Sequence, residues 1–541
     1  MTSDPLAIRL QDALPWLRRD RLIRPPFSGY WIEREAPRGW NAVDETEVLG
    51  GRIDLMTDAS GLRHRYCLFP WEHLVSVEMQ RKIADSILKV RSFPPKDFRG
   101  GDMELKAHVQ SVVQTVDLEP DQQEEFLDAV ERNTLGLGVL DVLLRDPRVE
   151  DIYVDAPCQQ TRVYLTLNQA GPGHVFGRCE TNLIVSENEM TGLVSRLKYR
   201  SGRPFSRSNP ILETELGENQ VRATALRPPL SPDGLALALR RRSDKPWTLL
   251  RLASCGAMDE VVAGLLSFLV DGRASILVCG ARGSGKSSLL SSLLFEFPVD
   301  QRILVIEDTR EVPVRSLQAL GFKAQSILVE PAKDQDRTEA AEEALRVSLR
   351  LGESAIVVGE VRGREAMTLY ESMRTGKAGS SVLGTIHGDG AQEVHDRVVN
   401  ELGIPEASFA STDVIITMGL IRPGGGLGQV RRVTEVAEVV RTDEGLDFLP
   451  MLTYDGGYHL CDRVIPLVKR ISSGWGMSYE EGMQNLRTRV ELRRLLLQFA
   501  SDDPTYLSPS SVMSANEFLW QHRDHETMDL PAAFASFLRE R

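Results

Sequence analysis

The clearest pattern of hydrophobic positions lies between residues 259 and 402, where continuous apolar runs alternate with segments of helical periodicity. The apolar runs, such as AIVVGE and RILVIED, predict strands at 275–280, 302–308, 326–329, 355–360 and 381–387. Apolar positions spaced three and four residues apart predict helices at 259–271, 285–297, 338–351, 364–374 and 392–402. Strands that are apolar throughout are typical of a parallel sheet covered on both faces, so we expect an α/β fold here.

The pattern divides the whole chain into five predicted regions. They are an irregular N-terminal module, a helical element, a small α+β domain, the α/β domain and a mostly helical extension, at 1–75, 76–147, 148–243, 244–440 and 441–541. The α+β region has short alternating runs and resembles a PAS-like sensor domain. Late in the α/β domain, VIITMGL and VTEVAEVV predict an antiparallel addition to the sheet. In the extension, Ser478 and Glu481 have the spacing of a capping box for a helix that ends at Phe499.

The composition argues against collagen-like, mucin-like and wholly disordered proteins. With 541 residues, 42% of them hydrophobic and 26% charged, the chain has ordinary globular usage and room for about three to four domains. The formal net charge of −13, from 64 basic and 77 acidic residues, argues against a protein that coats nucleic acid with a uniformly basic surface. Nucleic acid is therefore not an expected partner.

The cysteines and the apolar runs predict the compartment. Six cysteines are scattered without a C-x-x-C pair, which favours a reducing cytosol over a zinc site or a disulfide framework. The N-terminus carries acidic residues and lacks the apolar core of a secretory signal. No apolar run approaches the roughly 20 residues that cross a bilayer. We therefore expect a cytoplasmic protein that reaches a membrane only through a partner.

The sharpest chemical signal is the segment GARGSGKSS, which satisfies the pattern G-x-x-x-x-G-K-S between a predicted strand and a predicted helix. In such a loop the glycines let backbone N–H groups turn toward phosphates, and the helix N-terminus adds a favourable dipole. We expect Lys286 to contact the β and γ phosphates of ATP and the Ser287 hydroxyl to bind Mg²⁺. The alternative is a chance glycine-rich turn. The predicted nucleotide-binding residues are Gly280, Ala281, Arg282, Gly283, Ser284, Gly285, Lys286, Ser287 and Ser288.

Two predicted strands end in acidic residues, and the carboxyl ends of parallel strands face the ligand crevice. Glu360 ends AIVVGE and follows a glycine, so we expect it to orient the attacking water, to serve the metal, or to do both. The alternative for Glu360 is a charge at a helix N-terminus. Glu311 lies just beyond the end of RILVIED and is a second catalytic candidate, with a surface ion pair to Arg310 or Arg315 as its alternative. Glu307 and Asp308 are equally suited to closing a turn.

A third strand, in SVLGTIHGDG, carries His387 at its end. A neutral imidazole in this position is able to donate a hydrogen bond to the γ-phosphate. A single histidine at a strand end is more often structural. The neighbouring phosphate loop and acidic strand ends favour the catalytic interpretation of His387.

The segments GARGSGKSS, IEDTRE, VVGEVRG and GTIHGDG, in that order and at these separations, resemble the motifs of the secretion-superfamily traffic ATPases. These are the motors of type II and type IV secretion, type IV pili and archaella. Their Walker A loop, acidic box, Gly-Glu Walker B and His box match 280–287, 307–311, 359–360 and 385–387. The stretches around the last two motifs look most like the archaeal branch, and the resemblance covers about residues 144–440.

The resemblance implies a RecA-like P-loop NTPase domain preceded by the PAS-like domain, in a homo-hexameric ring that hydrolyses ATP with Mg²⁺. It also implies a polytopic membrane platform protein as the partner, at the cytoplasmic face of the cell membrane. Family members use arginines of the small domain to reach the phosphates. Here Gln220 stands where arginine is common, Arg222 and Arg227 are displaced, and Arg240 fits the second family arginine. The alternative for Arg240 is a solvated basic strand end.

Two other functions share these motifs. One is a nucleic-acid translocase on a RecA-like core, which the acidic balance argues against. The other is a nucleotide-binding scaffold without turnover, which the intact motif residues argue against. Among the filament and secretion motors, the sequence leaves open pilus, archaellum or secretion, and assembly or retraction.

Overall fold

The structure is a computed structural model, and it describes residues 22–23, 25, 27–34, 39–61, 63–92, 102–167, 177–216, 221–241, 245–329, 337–352, 354–363, 365–374, 381–425, 429–443, 445–522 and 529–540. The chain divides into two compact units, whose boundary falls between residues 244 and 245. We call the described residues up to 241 unit 1 and those from 245 onward unit 2.

Unit 1 is a mixed α/β body. Its strands are β1 (Leu22–Ile23), β2 (Tyr30–Glu33), β3 (Asn41–Val48), β4 (Gly51–Thr57), β5 (His64–Pro70), β6 (Val149–Val154), β7 (Tyr164–Leu167), β8 (Arg178–Thr181), β9 (Leu183–Val185), β10 (Ile211–Leu216), β11 (Val221–Leu226) and β12 (Ala236–Arg241). Its helices are α1 (Trp71–Leu74), α2 (Val77–Arg91), α3 (Asp102–Val113), α4 (Gln123–Thr134), α5 (Val139–Arg145) and α6 (Glu187–Ser201).

Most strands of unit 1 form one sheet. Among the described residues its order is β10-β11-β12-β6-β7-β8-β5-β4-β3, and β1-β2-β9 form a smaller sheet. The two parts of the large sheet, β10 to β8 and β5 to β3, join where β5 pairs with β8, with Arg65 opposite Glu180. Side chains from both parts, such as Ile53, Tyr66 and Leu165, share one apolar cluster.

The structure therefore joins regions that the sequence analysis divides at residues 75 and 147. Strands from the predicted irregular module continue the sheet of the predicted α+β domain. The helical element between them contributes α2, α3 and α4, which bury a small cluster of their own. Pairing between strands more than a hundred residues apart leaves no mark on local periodicity, so the sequence pattern does not reveal it.

Unit 2 has the regular α/β order that the sequence predicts. Its strands are β13 (Ile276–Gly280), β14 (Arg302–Glu307), β15 (Lys323–Leu328), β16 (Ala355–Val358), β17 (Val382–Ile386), β18 (Val414–Ile421), β19 (Val430–Thr442), β20 (Gly445–Tyr454) and β21 (Tyr458–Leu460). Its helices are α7 (Leu249–Ser254), α8 (Glu260–Asp271), α9 (Lys286–Leu293), α10 (Val314–Ala319), α11 (Arg337–Ser348), α12 (Glu365–Arg374), α13 (Ala391–Asp396), α14 (Glu406–Phe409), α15 (Pro466–Gly474), α16 (Tyr479–Phe499), α17 (Pro509–Gln521) and α18 (Leu530–Glu540).

The sheet of unit 2 confirms the predicted parallel arrangement. Its described strands run in the order β15-β14-β16-β17-β13-β18-β19-β20-β21. The first six are parallel, and β19, β20 and β21 each pair antiparallel with the strand before them. The antiparallel addition therefore begins at β19, because β18, the predicted strand VIITMGL, is parallel to β13. Alternate residues of β13 face opposite clusters: Ile276 and Val278 pack with α8, α9 and the C-terminal helices, whereas Leu277 and Cys279 pack with α11 to α14. The sequence analysis did not predict the short helices α7, α10 and α14 or the strands β20 and β21.

The last hundred residues are part of unit 2. The boundary predicted at residue 440 lies inside β19, and α16 packs along α8. The predicted capping box of Ser478 and Glu481 is present at the start of α16, which ends at Phe499 as predicted. Among the helices that the structure describes, none combines the length and the apolar character that a membrane crossing requires.

Buried ion pairs attach the C-terminal helices to the core of unit 2. The Arg493 guanidinium lies 2.6 Å from a Glu296 carboxylate oxygen, and both side chains are inaccessible to solvent. The same guanidinium donates to the Ser267 hydroxyl at 2.9 Å and to the Asn516 side chain. Glu296 lies in the turn that continues α9, the helix after the phosphate loop. The C-terminal helices thus contact the element that carries the predicted nucleotide site.

Candidate functional site

The segment predicted to bind phosphate is a loop between the buried strand β13 and the helix α9. Gly280 leaves the strand with φ +149°, and a Cβ there would lie 2.3 Å from the Met418 carbonyl oxygen, so only glycine fits. Gly285 has φ +98° and immediately precedes α9, whose N-cap has no side-chain hydrogen bond. The first backbone N–H groups of α9 are therefore available for an anion, as a phosphate loop requires.

All nine residues predicted to bind nucleotide lie on this loop and the first turn of α9. Lys286 is buried, and its ammonium donates to the carbonyl oxygens of Gly280 at 2.8 Å and Ala281 at 3.0 Å. The Ser284 hydroxyl is fully buried and has no hydrogen-bond partner among the described residues. Ser287 and Ser288 are partly exposed, while Ala281, Arg282 and Gly283 form the exposed tip of the loop.

The predicted catalytic residues Glu360 and His387 meet beside Lys286. The His387 Nε2 atom lies 3.0 Å from Glu360 Oε1, and its Nδ1 atom lies 3.5 Å from the Lys286 ammonium. The other Glu360 oxygen accepts a hydrogen bond from Arg362. Arg362 also lies 3.4 Å from an Asp308 carboxylate oxygen. Side chains from three parallel strand ends thus form one charged cluster, as the fold rule for such sheets predicts.

The electrostatics of the cluster favour an ionised Glu360. Burial by itself raises the pKa of Glu360, but Arg362, His387 and Lys286 outweigh that effect and hold the pKa below the ordinary glutamate value. Burial, and then the charge of Lys286, lower the pKa of His387. Burial also lowers the pKa of Lys286, against the opposing influence of Glu360. Near neutral pH the site therefore presents a carboxylate next to a neutral imidazole.

A neighbouring acid occupies the helix N-terminal position that is the alternative for Glu360. The acidic residue at the start of α12 is Glu365, which accepts the backbone N–H groups of Arg362 at 2.6 Å and Gly363 at 2.7 Å. Glu360 lies before this turn and contacts His387 and Arg362 instead. The helix N-terminal role is thus taken by Glu365, and Glu360 remains directed at the cluster.

The acidic box has one structural member and one exposed member. The buried Glu307 accepts the backbone N–H groups of Glu311 at 2.8 Å and Val312 at 2.9 Å, so it closes the turn, as one of its two predicted roles required. Glu311 itself is exposed, and its charge acts on both Lys286 and Arg362. Beside Glu307 and Glu360 lies a cavity of about 200 Å³ with an apolar wall formed largely by α11 and α12.

Arg431 is a site residue that sequence reasoning missed. Its Nε donates to the Gly283 carbonyl oxygen at 2.9 Å, and its Cδ would lie 3.6 Å from a Cβ at Gly285. Arg431 stands on β19, which the sheet brings near the loop because β19 pairs with β18 and β18 pairs with β13. No motif marks it in the sequence, since its role depends on this sheet order.

The predicted arginines Arg222 and Arg240 lie in unit 1 as a cross-strand pair on β11 and β12. They belong to a row in which Glu215 faces Arg222, Arg222 faces Arg240, and Arg240 faces Asp151. Arg240 lies 3.5 Å from Glu150, and Arg222 lies 3.4 Å from Glu213. Gln220, which replaces a family arginine, lies outside the described residues.

Metal binding was predicted at Ser287 and Glu360. In the part of the chain that the structure describes, no group of three or more His, Cys, Asp or Glu side chains is placed to hold a metal ion. Mg²⁺ in phosphate-transfer sites is commonly held by one or two protein oxygens together with phosphate oxygens and water. A hydroxyl and a carboxylate are compatible with that type of site.

Residues 191–442 match the family model described as type II/IV secretion system protein. This stretch contains the phosphate loop, the acidic box, Glu360 and His387. This part of the chain is therefore similar to the type II/IV secretion system proteins, in agreement with the resemblance predicted from its motifs.

Curated relatives come from archaea and bacteria. An uncharacterized protein of Methanocaldococcus jannaschii is 27% identical over 327 residues, which cover 60% of this chain and 56% of that protein. A putative conjugal transfer protein of Mycobacterium tuberculosis is 29% identical over 327 residues, covering 59% of this chain and 88% of that protein. The solved structure of the Legionella pneumophila ATPase DotB aligns with a TM-score of 0.36 and 16% identity, over 81% of this chain and 91% of that chain.

Proposed function

We propose that the protein is an ATP-hydrolysing motor that powers protein secretion or the assembly of a type IV pilus-like filament. The observation that carries this proposal is the cluster of Lys286, His387 and Glu360 at the phosphate loop, with the 3.0 Å and 3.5 Å contacts that link them. A scaffold without turnover has no need of an ionised carboxylate and a neutral imidazole beside the phosphate-binding lysine.

The loop residues fit a nucleoside triphosphate. The uncapped start of α9, the buried Lys286 and the unpartnered hydroxyl of Ser284 are all groups that phosphate oxygens satisfy. When bound, Mg-ATP supplies the phosphoanhydride bond and the metal charge that neutralises its phosphates. Lys286 would hold the terminal phosphates, and Ser287 and Glu360 would serve the metal.

Glu360 is the residue we assign to the attacking water. Its lowered pKa keeps it ionised near neutral pH, as an acceptor of a hydrogen bond from water must be. His387 holds one carboxylate oxygen and Arg362 the other, so the orientation of the carboxylate is set by two partners. The negative charge of Glu311 also acts on Lys286.

The match of residues 191–442 to the type II/IV secretion system family supports the remaining parts of the proposal. We assign the RecA-like role to 244–440 and the PAS-like role to 148–243, and we assign Arg222 and Arg240 to stabilising phosphate charge as arginine fingers. The working form would be a homo-hexamer that acts on a polytopic membrane platform protein at the cytoplasmic face. Matches in both archaea and bacteria leave the archaeal branch as a proposal.

Steady-state ATP hydrolysis by the full chain tests the proposal. We expect Glu360→Gln to lower kcat by at least about 100-fold while binding of a fluorescent ATP analogue is retained. Lys286→Ala should abolish that binding. Glu339→Gln, an exposed acid on α11, is the matched control and should behave as wild type.

Each contrary outcome points to a different function. Bound nucleotide without turnover in the wild-type chain would indicate a scaffold. Turnover that rises severalfold on adding single- or double-stranded DNA, with salt-sensitive affinity, would indicate a nucleic-acid translocase. If Glu360→Gln hydrolysed ATP at the wild-type rate, Glu360 would not be the residue that orients the attacking water.

A further inference from the structure

Unit 1 contains a cavity of about 420 Å³ that the nucleotide chemistry does not use. One wall is a face of α6, where Met190, Val194 and Lys198 follow one another at helical spacing. The facing wall comes from the loops around β11 and β12, with Arg227 and Leu235, and Phe205 closes the end. The volume lies within the range of about 300–1,000 Å³ typical of small-molecule sites.

Arg227 is the unusual residue of this cavity. Its guanidinium lies over the buried Phe205 ring, 5.3 Å from the ring centroid, and its Nε is buried without a hydrogen-bond partner. Among the described residues no carboxylate forms an ion pair with it. A buried donor that lacks a partner costs free energy, and a guanidinium presents several donors in a fixed plane.

Several other arginines of unit 1 that are partly or fully buried are paired with acids. Arg148 lies 2.8 Å from Asp146, and Arg162 lies 2.9 Å from Glu180. The fully buried Arg132 pairs with Glu72. The unpaired guanidinium at the cavity is therefore not a general feature of this unit, and the cavity is the place where its partner would lie.

A second cation, Lys198, lines the same cavity. Lys198 is in the last turn of α6, and Phe205, which carries the Arg227 stack, follows that helix by four residues. Lys198 forms no ion pair with any described residue. Two acids also line the cavity: Asp233, and Glu187, which lies eleven residues before Lys198 on α6, about 16 Å away along the helix axis. Neither acid forms an ion pair with Arg227 or Lys198 in the described part of the chain.

We infer that this cavity binds a small organic anion. Its carboxylate or phosphate group meets Arg227 and Lys198, and its apolar body lies against Met190, Val194, Phe205 and Leu235. A planar guanidinium backed by an aromatic ring suits bidentate contact with such a group. The cavity is formed by residues of unit 1 and the phosphate loop by residues of unit 2, and the inference does not depend on ATP hydrolysis.

Anilinonaphthalene sulfonate, an aromatic anion that fluoresces in apolar surroundings, is the probe for a titration of the full chain. We expect saturable binding to one site per chain. Arg227→Gln should weaken it by about tenfold or more, because a charge-assisted contact is lost. Lys198→Ala, at an exposed position that the fold tolerates, should weaken it severalfold. Thr191→Trp, which fills the cavity from its exposed helical edge, should remove it.

Arg207→Gln is the matched control, since Arg207 is exposed, lies close in sequence to Phe205 and does not line the cavity. It should bind the probe as wild type does. Unchanged binding in both Lys198→Ala and Thr191→Trp would overturn the proposal, as would the absence of saturable binding in the wild type. Displacement of the probe by Mg-ATP would also overturn it, because the site would then belong to the nucleotide.

Discussion

The Nε2 atom of His387 lies 3.0 Å from Oε1 of Glu360. The other nitrogen of the same imidazole lies 3.5 Å from the Lys286 ammonium. A neutral imidazole with its proton on Nε2 makes both contacts, because it donates to the carboxylate and accepts from the ammonium. His387 therefore connects the phosphate loop to the acidic strand end only while it is neutral.

This geometry predicts that ATP hydrolysis falls on the acidic side of neutrality. The pKa of His387 lies below its ordinary value of 6.5, because of burial and then of Lys286. As the pH falls through that lowered pKa, a proton on Nδ1 faces the ammonium and the bridge breaks. A pH profile of kcat from about pH 5 to about pH 8 measures this fall. The amide of His387→Gln cannot titrate, so in that variant kcat should no longer fall at acidic pH. If kcat of that variant still fell at acidic pH as in the wild type, the titrating group would be a residue other than His387.

Arg431 predicts a change in nucleotide affinity. Its contact with the Gly283 carbonyl orients the tip of the phosphate loop, so Arg431→Gln should weaken nucleotide binding about threefold to tenfold. Fluorescence titration with an ATP analogue measures the effect. The adjacent Arg432 instead lies over the Tyr454 ring, 4.4 Å from its centroid, so Arg432→Gln is the control. Equal effects of the two variants would mean that the loop contact has no specific role.

Arg222 and Arg240 predict a change in turnover with little change in stability. Both are more than one third exposed, and as like charges on adjacent strands they repel each other. Replacing either by Gln should leave the unfolding midpoint of unit 1 nearly unchanged but lower kcat by at least about 100-fold, as expected of an arginine finger. Arg178→Gln, at an exposed position of β8 in the same sheet, should retain wild-type kcat. If a variant that lacks both arginines kept full activity, the two residues would be solvated charges at a strand end without a role in catalysis.

The buried pair of Arg493 and Glu296 predicts a large stability effect. Arg493→Met leaves the buried Glu296 carboxylate without its ion-pair partner and should lower the free energy of unfolding of unit 2 by about 3–5 kcal/mol. Replacing Glu296 by Leu in the same chain should recover part of that loss, because no unpaired charge then remains. Denaturant unfolding followed by tryptophan fluorescence measures both. Arg494 is the exposed neighbour of Arg493, and Arg494→Met should lower the free energy of unfolding by less than about 1 kcal/mol. Equal costs for Arg493→Met and Arg494→Met would contradict the proposed coupling of the C-terminal helices to α9.

Much of the candidate site is readable from the chain because it consists of contiguous motifs at the ends of apolar strands. Lys286, Glu360 and His387 each follow a strand, and parallel strands place their carboxyl ends at one edge of a sheet. The roles of neighbouring acids are not readable in the same way. Glu307 and Glu365 both bind backbone N–H groups, which distinguishes them from Glu360 only once the turns are built.

The sequence by itself determined the resemblance to the secretion ATPases, the phosphate loop and the alternation of strands and helices in unit 2, because these depend on residues close together in the chain. The tertiary structure decided which distant segments meet. It brought β3 to β5 into the sheet of β6 to β8, Arg431 onto the phosphate loop, and the last helices against α8 and α9. Strand order and buried ion pairs join residues far apart along the chain, and local hydrophobic periodicity carries no information about such pairings.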